Sequence, residues 1–301
     1  MSLESPPLEA SSKAGPPKPR AGRPLDRKIT LRDLDAARRD GRAMAMLTCY
    51  DFTTATVMQA VGVPLLLVGD SAAVTILGYD STVHIRQAIL QELTAAVRRG
   101  APLAYLVADM PFGSYHADEG QAIENVCEMV RVSGCDAVKL EVVSRQAELV
   151  RRLADAGVAI WAHLGLRPQS AARTGYRTQG KTAAAARQIV ADATLMAEAG
   201  AVAILLEAVP PQVSEAVVAA VPVPVIGCGA GPACCGHVVV LQDLLGLTPH
   251  QPKFVPVVER SVGLHDAIVH YATLIETGRY PAAEHWYSMS DGERGRFETR
   301  S

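Results

Sequence analysis

The sequence predicts an α/β fold, a closed (β/α)8 barrel in which eight parallel strands are each followed by a helix. Three observations carry this expectation. Short apolar runs alternate with stretches of helical period through most of the 301 residues, the order produced by a parallel sheet covered with helices. No G-x-G-x-x-G turn follows the first run, although an open doubly wound sheet, the second choice, usually starts with one. Setting aside a proline-rich stretch at 1–28 leaves residues 29–301, close to the roughly 250 residues that one barrel fills. Length alone would also allow two smaller domains.

In chain order, residues 1–28 hold Pro6, Pro7, Pro16, Pro17, Pro19 and Pro24 among Ser, Lys and Arg. They lack the apolar core of a secretory signal, and the expectation is a disordered N-terminal extension. Thr30 to Asp40 reads as a short helix, with Thr30 as cap, Asp33 at the third helical position and Gly41 as stop. Seven apolar runs then read as buried strands: Ala43–Thr48, Pro64–Val68, Leu103–Ala108, Ala137–Leu140, Val158–Ala162, Ala201–Leu206 and Val223–Ile226. Between them lie helical stripes: Ile85, Ile89, Leu93 and Val97; Ile123, Val126 and Val130; Leu149 and Leu153; Ile189, Ala193 and Met196. Gly100, Gly134, Gly157 and Gly200 come after these helices, where a left-handed cap favours a residue without Cβ. The eighth strand is either Val238–Leu241 or Phe254–Val257, the barrel ends near residue 285, and 286–301 read as a C-terminal tail. Gly227, Gly229 and Gly231 form a late glycine-rich turn, weak as a dinucleotide signature and reasonable as backbone that approaches a ligand.

Composition excludes several classes of function. With 29 basic and 31 acidic side chains the formal net charge is −2, so no excess of Lys and Arg exists to neutralise a nucleic-acid backbone. Hydrophobic residues at 49% and charged residues at 20% provide a core, and no apolar run approaches the roughly 18 residues of a membrane span. Cys49, Cys127, Cys135, Cys228, Cys234 and Cys235 form no C-x-x-C pair, which suits a reducing, cytoplasmic location. Cys228, Cys234, Cys235 and His237 could be imagined as a zinc site, but the spacing is poor for zinc and buried free thiols are the preferred reading.

The residues at the strand ends are more informative. Asp70-Ser71 come after the second strand and Asp109 after the third, Lys139 and Glu141 lie on the fourth, His163 ends the fifth and Glu207 the sixth. In a parallel barrel these positions share the C-terminal face, where barrel active sites are built. Taken singly, Asp70 or Asp109 is as well explained as a helix cap, Asp51 is preferred as one, and His163 could be a satisfied core histidine. Together, Asp70, Asp109 and Glu141 repel one another unless a cation is present, which suggests a divalent metal, Mg2+ first, with Mn2+ or Co2+ as substitutes. Lys139 has the parity of Glu141 and is expected to point inward with it.

Nine collinear segments resemble the ketopantoate hydroxymethyltransferase family: Ala45–Asp51, Leu67–Ser71, Gly78–Thr82, Val107–Phe112, Ala137–Glu141, Ala162–Ser170, Leu206–Pro210, Val225–Pro232 and Glu284-His285. The resemblance implies a barrel of the phosphoenolpyruvate mutase/isocitrate lyase type, one Mg2+ per subunit and a homo-oligomer, typically a decamer. It implies transfer of a hydroxymethyl group from the co-substrate 5,10-methylenetetrahydrofolate to 3-methyl-2-oxobutanoate, through a metal-stabilised enolate, giving ketopantoate for pantothenate and coenzyme A synthesis. It assigns Asp70, Asp109 and Glu141 to the metal, Asp70, Ser71, Asp109 and Lys139 to the 2-oxo acid, Glu207 as proton acceptor and His163 as a further substrate-site residue. The chain departs from the family pattern at Val142-Val143, where two glycines are usual, at Cys235-Gly236-His237 in place of Asp-Gly-Gln, at His84 in place of Pro, and in a shorter Ala171–Gly175 loop. A metal-dependent aldolase or lyase of the same superfamily, and a catalytically silent paralogue, are the alternatives.

Overall fold

The computed structural model describes residues 21–171, 175–249, 251–256 and 258–299. Eight parallel strands close into a barrel in sequence order: β1 Met44–Thr48, β2 Leu65–Val68, β3 Tyr105–Asp109, β4 Ala137–Glu141, β5 Ile160–Gly165, β6 Ala203–Glu207, β7 Val225–Cys228 and β8 Gly236–Val239. Around them lie the helices α1 Leu31–Arg39, α2 Phe52–Ala60, α3 Ala72–Thr75, α4 Gln87–Gly100, α5 Glu119–Ser133, α6 Ala147–Asp155, α7 Ala183–Glu198, α8 Pro211–Ala220, α9 Leu241–Leu244, α10 Leu264–Glu276 and α11 Asp291–Glu298. The barrel closes where β8 pairs with β1, Met46 opposite Val238. Of the two candidates for the eighth strand, the one beginning near Val238 is realised and Phe254 packs into the core from a loop.

Strand register places the chemistry. Asp109 lies opposite Lys139, Glu141 opposite His163, and Gly165 opposite Glu207. Because side chains two apart share a face and paired residues point the same way, Asp109, Lys139, Glu141 and His163 all enter the lumen at its C-terminal end. Tyr105 and Trp161 have the same parity lower in the lumen, with ring centroids 6.1 Å apart. Burying each such ring contributes roughly 1.5–3 kcal/mol or more, so an apolar plug supports the polar layer above it.

Several local expectations meet the structure. Thr30 and Asp33 form the capping box of α1, and Asp51 caps α2 by accepting the Thr54 N–H at 2.8 Å. Gly134, Gly157 and Gly200 are left-handed; Gly100 is not. It is the last residue of α4, and a Cβ there would stand 2.4 Å from the Phe52 carbonyl oxygen of α2. Close helix contact, and not backbone handedness, calls for glycine at 100.

Both ends of the predicted barrel need correction. Residues 1–20 of the expected extension lie outside the described residues, whereas residues 21–28 are a strap on the N-terminal face. Gly22 and Leu25 donate to the Val61 and Gln59 carbonyls at 2.9 and 3.2 Å, Leu25 is buried, and Lys28 Nζ lies 2.7 Å from Asp136. The expected tail 286–301 contains α11, whose Phe297 is buried and whose Glu293 accepts the Ala183 N–H at the start of α7 at 2.7 Å. A carboxylate at a helix N-terminus satisfies free amides and the helix dipole together. Among the described residues no helix is long and apolar enough to cross a membrane.

Candidate active site

β2 delivers Asp70 through Gly69, where a Cβ would come within 2.8 Å of Ser71 Oγ. The Asp70 N–H donates to Asp109 Oδ2 at 3.0 Å, and Ser71 Oγ lies 2.7 Å from the Tyr50 hydroxyl. β3 ends on Asp109, whose Oδ1 is 2.9 Å from Lys139 Nζ. Lys139 Nζ is also 3.1 Å from His163 Nδ1. On the other side of that ring, Nε2 stands 3.2 Å from Glu207 Oε2. The polar chain therefore runs Asp70, Asp109, Lys139, His163, Glu207 across four neighbouring strands and the loop after β2.

Burial sets the electrostatics. It pushes the Asp70 carboxyl up to about 7, with the charge of Asp109 adding to it, and raises Asp109 as well. Glu141 is held well above the usual carboxylate range by burial and then by Asp70, and Glu207 is pushed up to about 8 by burial. Burial also works against the Lys139 ammonium, but Asp109, Asp70 and Glu141 outweigh it and raise its pKa. His163 is kept neutral by burial and by the neighbouring lysine. Four carboxyls against one ammonium leave the mouth short of positive charge.

Gln169, which sequence reasoning missed, ties the acids together. Its side-chain amide donates to Asp70 Oδ2 and to the Met110 carbonyl, each at 2.9 Å, and its N–H donates to the two Glu141 oxygens at 3.1 and 3.2 Å. Its Oε1 accepts the Tyr115 hydroxyl at 2.9 Å. Pro168-Gln169-Ser170 stand inside a segment already noted for family resemblance, but a neutral residue after a strand carries no signal of bridging two carboxylates. A second unexpected feature is Ala208, with φ 49 immediately after Glu207. Left-handed backbone at a residue with a Cβ costs roughly 1–2 kcal/mol, and here it sits beside the expected base.

The expected metal residues are thus brought to one mouth but do not form a ligand triad. Among the described residues, no three His, Cys, Asp or Glu side chains stand as a metal-holding group, because Lys139 and the Asp70 amide engage the Asp109 oxygens while the Gln169 amide holds Glu141. The donor set still fits a hard divalent cation that takes one or two carboxylates and completes its shell with water or substrate oxygens. Raised carboxyls of this kind are what such a cation relieves. Cys228, Cys234 and Cys235 are free thiols held above their usual range by burial, and with His237 they form no metal group. Val142 is buried and its N–H donates to the His163 carbonyl at 3.2 Å, while Val143 has φ −139. Neither position requires glycine.

The sequence profile of the ketopantoate hydroxymethyltransferase family matches residues 28–283. The chain belongs to the ketopantoate hydroxymethyltransferase family. Relatives named 3-methyl-2-oxobutanoate hydroxymethyltransferase include one from Acidothermus cellulolyticus, 45% identical over 87% of this chain and 98% of its own. Another, from Desulfotalea psychrophila, is 41% identical over 87% of this chain and 95% of its own. Among solved structures, the barrel is similar to 2,3-dimethylmalate lyase, described as a PEP mutase/isocitrate lyase superfamily member, with TM-score 0.50 and 15% identity over 69% of this chain and 80% of that one. It is also similar to phosphonopyruvate hydrolase in complex with oxalate and Mg2+, with TM-score 0.53 and 17% identity over 70% and 79%. At these identities the likenesses show the fold alone, a closed parallel (β/α)8 barrel.

Proposed function

We propose that the protein transfers a hydroxymethyl group from 5,10-methylenetetrahydrofolate to 3-methyl-2-oxobutanoate, giving 2-dehydropantoate (ketopantoate) for pantothenate and coenzyme A synthesis. The balanced reaction consumes one water and releases tetrahydrofolate. The observation that carries this reading is a partly open carboxyl, Glu207, separated by His163 from a buried cationic and acidic cluster. A base at one end and an oxygen-binding cluster at the other match a 2-oxo acid that must lose the proton on C3.

Mg2+ held by Asp70 and Asp109, with Glu141 beside them, would supply Lewis-acid polarisation of the keto acid's ketone and carboxylate oxygens, an effect worth several kcal/mol. The chain's own residues do the rest. Lys139 and the Ser71 hydroxyl hold the substrate oxygens and stabilise the enolate charge. Glu207 takes the C3 proton, a role worth roughly 10²–10⁴-fold in rate, and the enolate carbon attacks the one-carbon unit. The buried Trp161 and Tyr105 below keep bulk water from the floor of the site. Cytoplasmic location and assembly into a homo-oligomer, a decamer by family resemblance, belong to the same proposal.

The test is turnover of purified protein with Mg2+, methylenetetrahydrofolate and a panel of 2-oxo acids, with detection of the hydroxymethylated product. Product from 3-methyl-2-oxobutanoate is expected. Cleavage or turnover of a different 2-oxo acid in its place would favour the lyase reading, and no turnover of any would favour a silent paralogue.

A further inference from the structure

His163 has two ring nitrogens and, as a neutral imidazole, one proton. Its Nδ1 faces an ammonium at 3.1 Å, nearer than the Glu141 carboxylate oxygen at 4.0 Å, and an ammonium only donates. A proton on Nδ1 would oppose it, so Nδ1 carries the lone pair and Nε2 carries the hydrogen. Among the described residues Nε2 has no aligned hydrogen bond, although it is buried, only 3.2 Å from Glu207 Oε2, and on a ring that also meets the Leu166 backbone. The N–H and the carboxylate are within range but out of line. Glu207 is the looser member, its side chain 17% exposed against 1% for His163, so a turn of that carboxyl brings Oε2 onto the N–H. Catalytic hydrogen bonds commonly align only when substrate is present.

We propose that His163 is a positioning residue for Glu207, a strut that accepts from Lys139 at Nδ1 and donates Nε2–H to Glu207 Oε2, leaving Oε1 to take the C3 proton. This rests on the reaction proposed above and replaces direct substrate binding as the role of His163. The strut also links the two halves of the site, since Lys139 touches both the oxygen-binding cluster and the ring that aims the base.

The experiment monitors C3–H exchange of 3-methyl-2-oxobutanoate with deuterated solvent by NMR, with Mg2+ and without folate, alongside calorimetric binding of the keto acid. His163→Asn keeps an acceptor near the Nδ1 position and loses the donor at Nε2; His163→Gln restores an N–H there. Exchange in His163→Asn is expected to fall about 10²-fold with keto-acid affinity within roughly threefold, and His163→Gln is expected to recover at least about tenfold of that loss. Weakened keto-acid binding with full exchange at saturation would make His163 a substrate ligand and overturn the strut. So would equal rates in the two variants. A Glu207→Gln control separates the layers: exchange persisting there rules out Glu207 as the base in the proposed reaction, and the strut with it, whereas loss there with full exchange in His163→Asn defeats only the strut. Independently of any variant folding, ¹⁵N spectra of the wild-type ring should show Nε2 protonated and Nδ1 bare; the opposite tautomer overturns the proposal.

Discussion

Glu207 faces two opposed demands at once. A base must be ionised, yet burial pushes this carboxyl up to about 8. An acid whose folded pKa lies above its unfolded value near 4.5 binds its proton more tightly in the folded state. Stability is then lost as pH rises from the unfolded value through the folded one. In metal-free protein the melting temperature is therefore expected to fall between roughly pH 4.5 and 8 more steeply for wild type than for Glu207→Gln; parallel curves would show that Glu207 is not strained by burial. The residues with strong chemical character, Asp70, Asp109, Lys139, Glu141, His163 and Glu207, were legible because a charge at a strand end is conspicuous. Gln169 was not, because its importance lies in which two carboxylates its amides reach, and those come from strands far apart in the sequence.

Strands and helices were read well wherever period and length agreed, and their ends less well. β6 and β7 run one and two residues beyond the apolar stretches that announced them, because ladder pairing continues through Glu207 and Cys228. β8 was ambiguous because its residues run straight into the apolar start of α9, leaving no turn to mark the strand end. Gly100 gives the element scale a quantitative test. Ala in a helix is intrinsically favoured over Gly by about 1 kcal/mol, but a Cβ 2.4 Å from a backbone oxygen and 2.8 Å from Ala55 Cβ forces α2 and α4 apart. Overpacking of this kind costs typically about 1–3 kcal/mol, so Gly100→Ala is expected to lower stability to chemical denaturation. A stabilised variant would mean that the contact yields more readily than its geometry indicates.

At the scale of the whole molecule, the near-neutral total hides a polarised barrel. The C-terminal end collects acids around one lysine, while the N-terminal end is crossed by the strap from residue 21, anchored through Leu25 and Lys28. Substitution at one end should spare the other. Leu25→Ala is expected to cost about 2–4 kcal/mol of stability and to leave the KM for the keto acid unchanged at temperatures where the protein stays folded; a raised KM would mean that the two ends are coupled. The proline-rich composition around the strap suggests disorder, and its backbone bonds to the end of α2 are contacts that no side-chain pattern advertises. The strap also has a use in handling. Ala21 stands on the face opposite the acids, so a molecule attached to a bead or sensor through that position presents its open mouth to the flowing solution.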